Sequence, residues 1–219
     1  MKLLTLSDFQ SIKSHKSTSL VSSHIQQQFQ LLVKQMLIGL PVEPILDNYP
    51  QFQQWIVSLK ELVPSLFVPH KKLFVDLAIT ARLAWNLDAN NTSSPSSFPL
   101  IEVRTNVGII KRRKHLFEWG IRHSSLSYSD RIKLWVATEH FQVNPDEMQL
   151  TVLALHPTKT AQKVVFNWDS KQHKQTKNWL INKITKQTNQ SFQPSNVIVN
   201  SDTASTLAKS LDEIDEVLL

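Results

Sequence analysis

The chain has 219 residues, no Cys, and 24 Lys and Arg against 18 Asp and Glu, for a net charge of +6 and a pI of about 9.5. The length suffices for one domain with a real core. The lack of Cys excludes disulfides, thiolate metal sites and Cys-held iron–sulfur clusters, and three Gly leave no glycine-rich phosphate loop.

Charge is unevenly spread. Residues 201–219 hold five acids and one Lys, so the remainder carries 23 basic against 13 acidic residues. That asymmetry favours a polyanionic partner for the main body, through phosphate contacts and counterion release. The N-terminal MKLLTLSDFQ has too short an apolar run for a signal peptide, and no run of about 18 apolar residues occurs anywhere. The expectation is a soluble, cytoplasmic protein with no membrane partner.

In chain order, residues 20–38 are Gln-rich, with Ile25, Phe29, Leu32, Val33 and Met36 at helical spacing and Gly39 and Pro41 as stops. Residues 50–62 predict a second helix that opens on Pro50 and turns Phe52, Trp55, Ile56 and Leu59 to one side. Residues 73–87 read as one bent strand or two short ones, with Asp76 either a surface residue or an alternative acid. Leu83, Trp85 and Leu87 alternate there with Ala84, Asn86 and Asp88, the period of a strand with one buried face. After a polar loop, Leu100, Ile101 and Val103 bracket Glu102 and Arg104, which share a face because side chains two apart on a strand point the same way. If the two strands pair, Asn86 can lie beside that face.

Lys111, Arg112, Arg113 and Lys114 form the densest basic run, followed by His115, Phe117 and Trp119. It reads either as a grip on a phosphate backbone with a base stacked nearby or as a solvated connector with its aromatics in the core. Residues 127–141 look helical, with Ser127 or Ser129 as N-cap. Two strands at 148–156 and 162–168 and a helix from 170 to about 185 follow. Composition then turns to Gln, Asn, Ser and Thr, giving a polar linker at 188–206. In the acidic tail, 207–219, Leu207, Leu211, Ile214 and Leu218 share one face of a possible helix.

The pair of strands with Asn86, Glu102 and Arg104, and the helix that follows, resemble the PD-(D/E)XK nucleases of the RecB-like branch. In that family an acid ends one strand, an Asp/Glu-X-Lys triplet sits on the next, and a helix with Gln and often Tyr comes after. The resemblance implies an α/β fold, a mixed central β-sheet flanked by helices, over residues 1–187, with a helical part at about 1–62. It also implies Gln30 in the place of the family's His, Asn86 for the first acid, Glu102 for the second and Arg104 for the Lys. On the later helix Arg131 and Leu134 fit the family register, whereas Ser129 stands for Gln and Lys133 for Tyr.

Active members hold Mg²⁺ on two carboxylates, lowering the pKa of a bound water, while the Lys positions that water. Here only Glu102 keeps its role. Asn86 brings no charge, and Arg104, always protonated, is a poor proton shuttle. The implied function is a nucleic-acid-associated protein with a degenerate nuclease site. It would bind DNA, with RNA also open, through Lys111, Arg112, Arg113, Lys114, Arg131 and Lys133. Two alternatives stand beside it. A two-residue shift sets Asp88 with Glu102 as Mg²⁺ ligands of an active deoxyribonuclease. An adaptor subunit would instead hold a protein partner through the tail. As an isolated feature, the triplet of Glu102 and Arg104 reads as an exposed pair that adds little to stability.

Overall fold

Among the described residues of the computed structural model, 3–9, 21–67, 73–84, 98–110 and 113–191, six strands form one mixed sheet flanked by helices. The strands are β1 (Leu3–Leu4), β2 (Leu73–Arg82), β3 (Leu100–Ile110), β4 (Arg113–Ile121), β5 (Gln149–Leu155) and β6 (Gln162–Asn167). The helices are α1 (Leu6–Phe9), α2 (Ser23–Leu37), α3 (Glu43–Asn48), α4 (Pro50–Leu62), α5 (Tyr128–Phe141) and α6 (Ser170–Ser191). The expected α/β architecture is therefore present. By contacts the chain divides into two units, Met1–Lys183 and Ile184–Leu219, and the second is described only as the end of α6, to Ser191. The rest of the polar linker and the whole acidic tail lie outside the described residues.

β3 is the hub. Antiparallel β2 runs along one of its edges from Leu100 to Gly108. The other edge is shared: β4 pairs antiparallel from Asn106 to Ile110, and β1 pairs parallel at Leu100 and Ile101. β4 continues in parallel to β5, and β5 is antiparallel to β6. A parallel neighbour requires a crossover, which α5 supplies.

The largest departure from expectation is β4. The segment that begins in the basic run is a strand, with Arg113 directly opposite Ile110. Phe117 and Trp119 pack with Leu153 and Leu155 of β5 against Phe29, Leu32 and Val33 of α2 and Phe52, Trp55 and Ile56 of α4. Both rings are nearly fully buried, so neither is available to stack on a base. Their faces are already taken by the core, where each fully buried aromatic contributes about 1.5–3 kcal/mol. Alternate residues turn the other way. Leu116 and Glu118 pair with Leu150 and Val152 on the opposite face, where α5 sits.

α5 begins where a capping box fixes it. The Ser127 hydroxyl accepts the Asp130 N–H at 3.1 Å, and the Asp130 carboxylate accepts the Ser127 N–H at 2.8 Å. Arg122, just past β4, donates to both Asp130 oxygens, at 3.0 and 2.5 Å. Burial pushes the Asp130 carboxyl up, but the bonds and charge of Arg122 and the bonds from Ser127 outweigh it, leaving it below the ordinary 3.8.

A carboxyl so depressed stabilises the fold fully above about pH 5, and that contribution is lost as pH falls through 3.8 towards the folded value. Asp130→Ala, which strands Arg122 and removes the cap, is expected to destabilise by about 3–5 kcal/mol in urea unfolding at pH 7. The loss should shrink between pH 5 and pH 3, and an equal loss at both would contradict the assignment.

Candidate functional site

Pairing between β3 and β4 stops at Asn106 opposite Phe117. Beyond that point the strands part, and Glu102 to Thr105 have no strand partner on that edge among the described residues. The opening is set from the neighbouring strand. Phe74 lies opposite Val107 and Leu77 opposite Thr105, so Val75 and Asp76 together face Asn106 in a bulge. Asp76 adopts φ 55°, the left-handed region that Asp tolerates better than most residues. Asn106, buried, supports it: its Oδ1 accepts the Asp76 N–H at 3.0 Å while its Nδ2 donates to the Phe117 carbonyl at 2.9 Å.

The bulge places the Asp76 carboxylate between two cations, Lys34 Nζ of α2 at 2.8 Å and Arg104 Nη1 of β3 at 3.2 Å. Burial raises this carboxyl and the two cations lower it, with a net position below the ordinary range. Across the opening, Glu118 of β4 accepts from Lys133 Nζ of α5 at 2.6 Å and from the Thr105 hydroxyl at 3.2 Å. Both partners of this ion pair are only 13% exposed. Gln30 of α2 donates its amide to the Trp119 carbonyl. Beside it, a Cβ added at Gly120 would lie 2.9 Å from the Gln30 Nε2. Together these groups line a cleft of about 300 Å³.

The cleft can hold a phosphate. Three cations, Lys34, Arg104 and Lys133, face two carboxylates, and the most exposed of them, Arg104, carries the planar fork that matches phosphate oxygens. It is a poor match to Mg²⁺, which takes oxygen ligands and depends on carboxylate charge. Asp76 and Glu118 are each tied to cations, the Asn106 oxygen is engaged by a backbone N–H, and the described residues contain no group of three or more His, Asp or Glu able to hold an ion.

Of the residues singled out in the sequence, Gln30, Arg104 and Lys133 meet in this cleft. Glu102 lies on β3 opposite Thr80 and is not among the lining residues. Asn86 and Asp88 lie outside the described residues, as do Lys111 and Arg112. Arg113 opens β4, five residues or about 17 Å of strand from Glu118. Lys114 sits over the Phe141 ring at 4.2 Å, and Arg131 lines a separate depression beside Tyr128 and Trp179. Asp76, Asn106 and Glu118 were not read as the centre of the site. For Glu118 a signal exists: a lone acid between Phe117 and Trp119 in an apolar run needs a buried partner.

No protein-family model matches the chain, and no curated protein is significantly similar to it. Among solved structures it is similar to a candidate exonuclease from Eubacterium rectale, with 8% identity and a TM-score of 0.45 over 94% of this chain and 79% of that one. It is also similar to the protein SSO0001, with 10% identity and a TM-score of 0.40 over 84% and 76%. No described helix is long and apolar enough to cross a membrane.

Asn106→Leu removes both side-chain bonds of the cross-strand bridge and leaves the Asp76 N–H without the acceptor it has here. The expected cost is about 1–3 kcal/mol for that orphaned group in urea unfolding. A loss below about 0.5 kcal/mol would show that the bridge does not hold the bulge.

Proposed function

We propose that the chain is a nucleic-acid-associated protein related in architecture to metal-dependent nucleases, whose cleft binds the phosphate backbone without hydrolysing it. The observation that carries this reading is the mutual neutralisation of the cleft: each of its two carboxylates is held by a cation, and a third cation is in surplus. A hydrolytic metal site needs those carboxylates free.

The resemblance drawn from the sequence supports the same reading once it is moved along by one strand. α5 directly follows β4, and on this proposal β3 takes the first acid's place and β4 the triplet's. Asn106 then stands for the first acid, and Glu118, Trp119 and Gly120 stand for the triplet. The acid has become an amide, and the Lys has become Gly. A cation is nevertheless present, because Lys133 reaches Glu118 from α5. Charge of the right sign thus remains beside the carboxylate, but it neutralises that carboxylate and is spent on it. Arg104 and Lys34 remain partly exposed and share one carboxylate, Asp76, as their ion-pair partner among the described residues.

Binding of fluorescent single-stranded and duplex DNA and RNA, followed by anisotropy across a salt series, tests the reading. Affinity should fall steeply with salt, and Arg104→Ala and Lys34→Ala should each reduce the slope by about 0.7–0.9. Asp76→Asn, which unscreens both cations, should tighten binding several-fold. Incubation with Mg²⁺ or Mn²⁺ should leave the nucleic acid intact. Cleavage that disappears in Glu118→Gln would overturn the proposal in favour of an active nuclease.

A further inference from the structure

The cleft accounts for phosphate but not for bases. A second feature, on the outer side of α5, has the complementary chemistry. Tyr128, the first residue of α5, is 70% exposed, the highest exposure of the large hydrophobic side chains among the described residues. Its ring lies nearly parallel to that of Trp179 on α6, with centroids 5.5 Å apart and planes 19° from each other. Trp179 is backed by Phe9 at 6.2 Å, and Lys183 Nζ stands 5.8 Å from the Trp179 centroid. Beside the two rings is a depression of about 180 Å³, lined also by Arg131, Ile132, Gln175 and Thr176.

Each part of this arrangement fits an unpaired base. The outer face of Tyr128 is an open π-surface, and any base can stack on such a face. The flanking Arg131 and Lys183 carry positive charge for the adjoining phosphates. Gln175 offers an amide and Thr176 a hydroxyl on the floor, suited to the polar edge of a base. Thr176 is only 6% exposed. The ring is also preorganised. Tyr128 directly follows the N-cap Ser127, and the capping box and the Arg122 pair hold that turn in place. Little conformational entropy remains to be lost when a base docks.

We propose that Tyr128 and Trp179 form a stacking platform for an unpaired nucleobase, so that the protein prefers single-stranded over duplex nucleic acid. This rests on the phosphate-binding reading of the cleft, and the test separates the two. Anisotropy is measured with a labelled single-stranded oligodeoxyadenylate and with an abasic strand of equal length and charge, for the wild type, Tyr128→Ala and Tyr128→Phe. The wild type should bind the base-bearing strand about 10-fold more tightly than the abasic one. Tyr128→Ala should erase most of that preference while leaving abasic binding unchanged, and Tyr128→Phe, which keeps the ring, should retain it. Thermal melting of both variants confirms that the capped turn is intact. Equal wild-type affinity for the two strands, or an unchanged preference in Tyr128→Ala, overturns the platform and leaves the phosphate reading standing. Binding to neither strand overturns both.

Discussion

A single buried amide determines where the sheet stops being a sheet. Asn106 donates across to β4 and accepts from β2, and in doing so it ends one ladder and supports an irregularity in the other. A backbone pair cannot do this, because a strand residue offers its N–H and C=O to fixed partners at fixed spacing. A side-chain amide supplies an extra donor and acceptor within the strand. Everything polar in the cleft follows. Asp76 reaches Lys34 and Arg104 because the bulge turns it there, and Glu118 can be held by a helix because β3 has moved away from it.

The electrostatics of the cleft favour retention of shape over reactivity. Buried or half-buried charges are costly unless paired, and here the pairing is internal to the protein. Lys133 lies on the crossover helix and Glu118 on the strand before it, so their ion pair also ties α5 to β4. Lys34 similarly ties α2 to the β2 bulge. The same bonds that assemble the cleft therefore draw down its chemical capacity.

Much of the scaffold was legible in the sequence. Helix α4 occupies the predicted residues 50–62 because Pro50 sets its start and its apolar residues repeat at helical spacing, and α5 is capped by Ser127, the first of the two Ser read as caps. β4 was not legible, since a strand buried on both faces loses the alternation that identifies a half-buried one, and its first residues are the basic Arg113 and Lys114. With that strand unseen, the segment after the basic run reads as a connector leading to a helix, or as a phosphate grip. Asn106 escaped notice because its role depends on residues 30 positions before it and 11 after. Local periodicity reports which face a side chain takes. It carries no information on which distant carbonyl or amide will be waiting there.

Gly120 and Gln30 are coupled through one close contact. The Gln30 amide occupies the space that any side chain at position 120 would enter first, and it is held there by the Trp119 carbonyl. The two positions are consequently not independent sites of substitution. A side chain at 120 would push the flexible end of Gln30 away and break its bond to the Trp119 carbonyl, whereas a change at 30 alone costs that one hydrogen bond. The order in which the two positions change therefore matters: a change at 30 opens space beside Gly120, whereas a change at 120 first displaces the Gln30 amide from the Trp119 carbonyl.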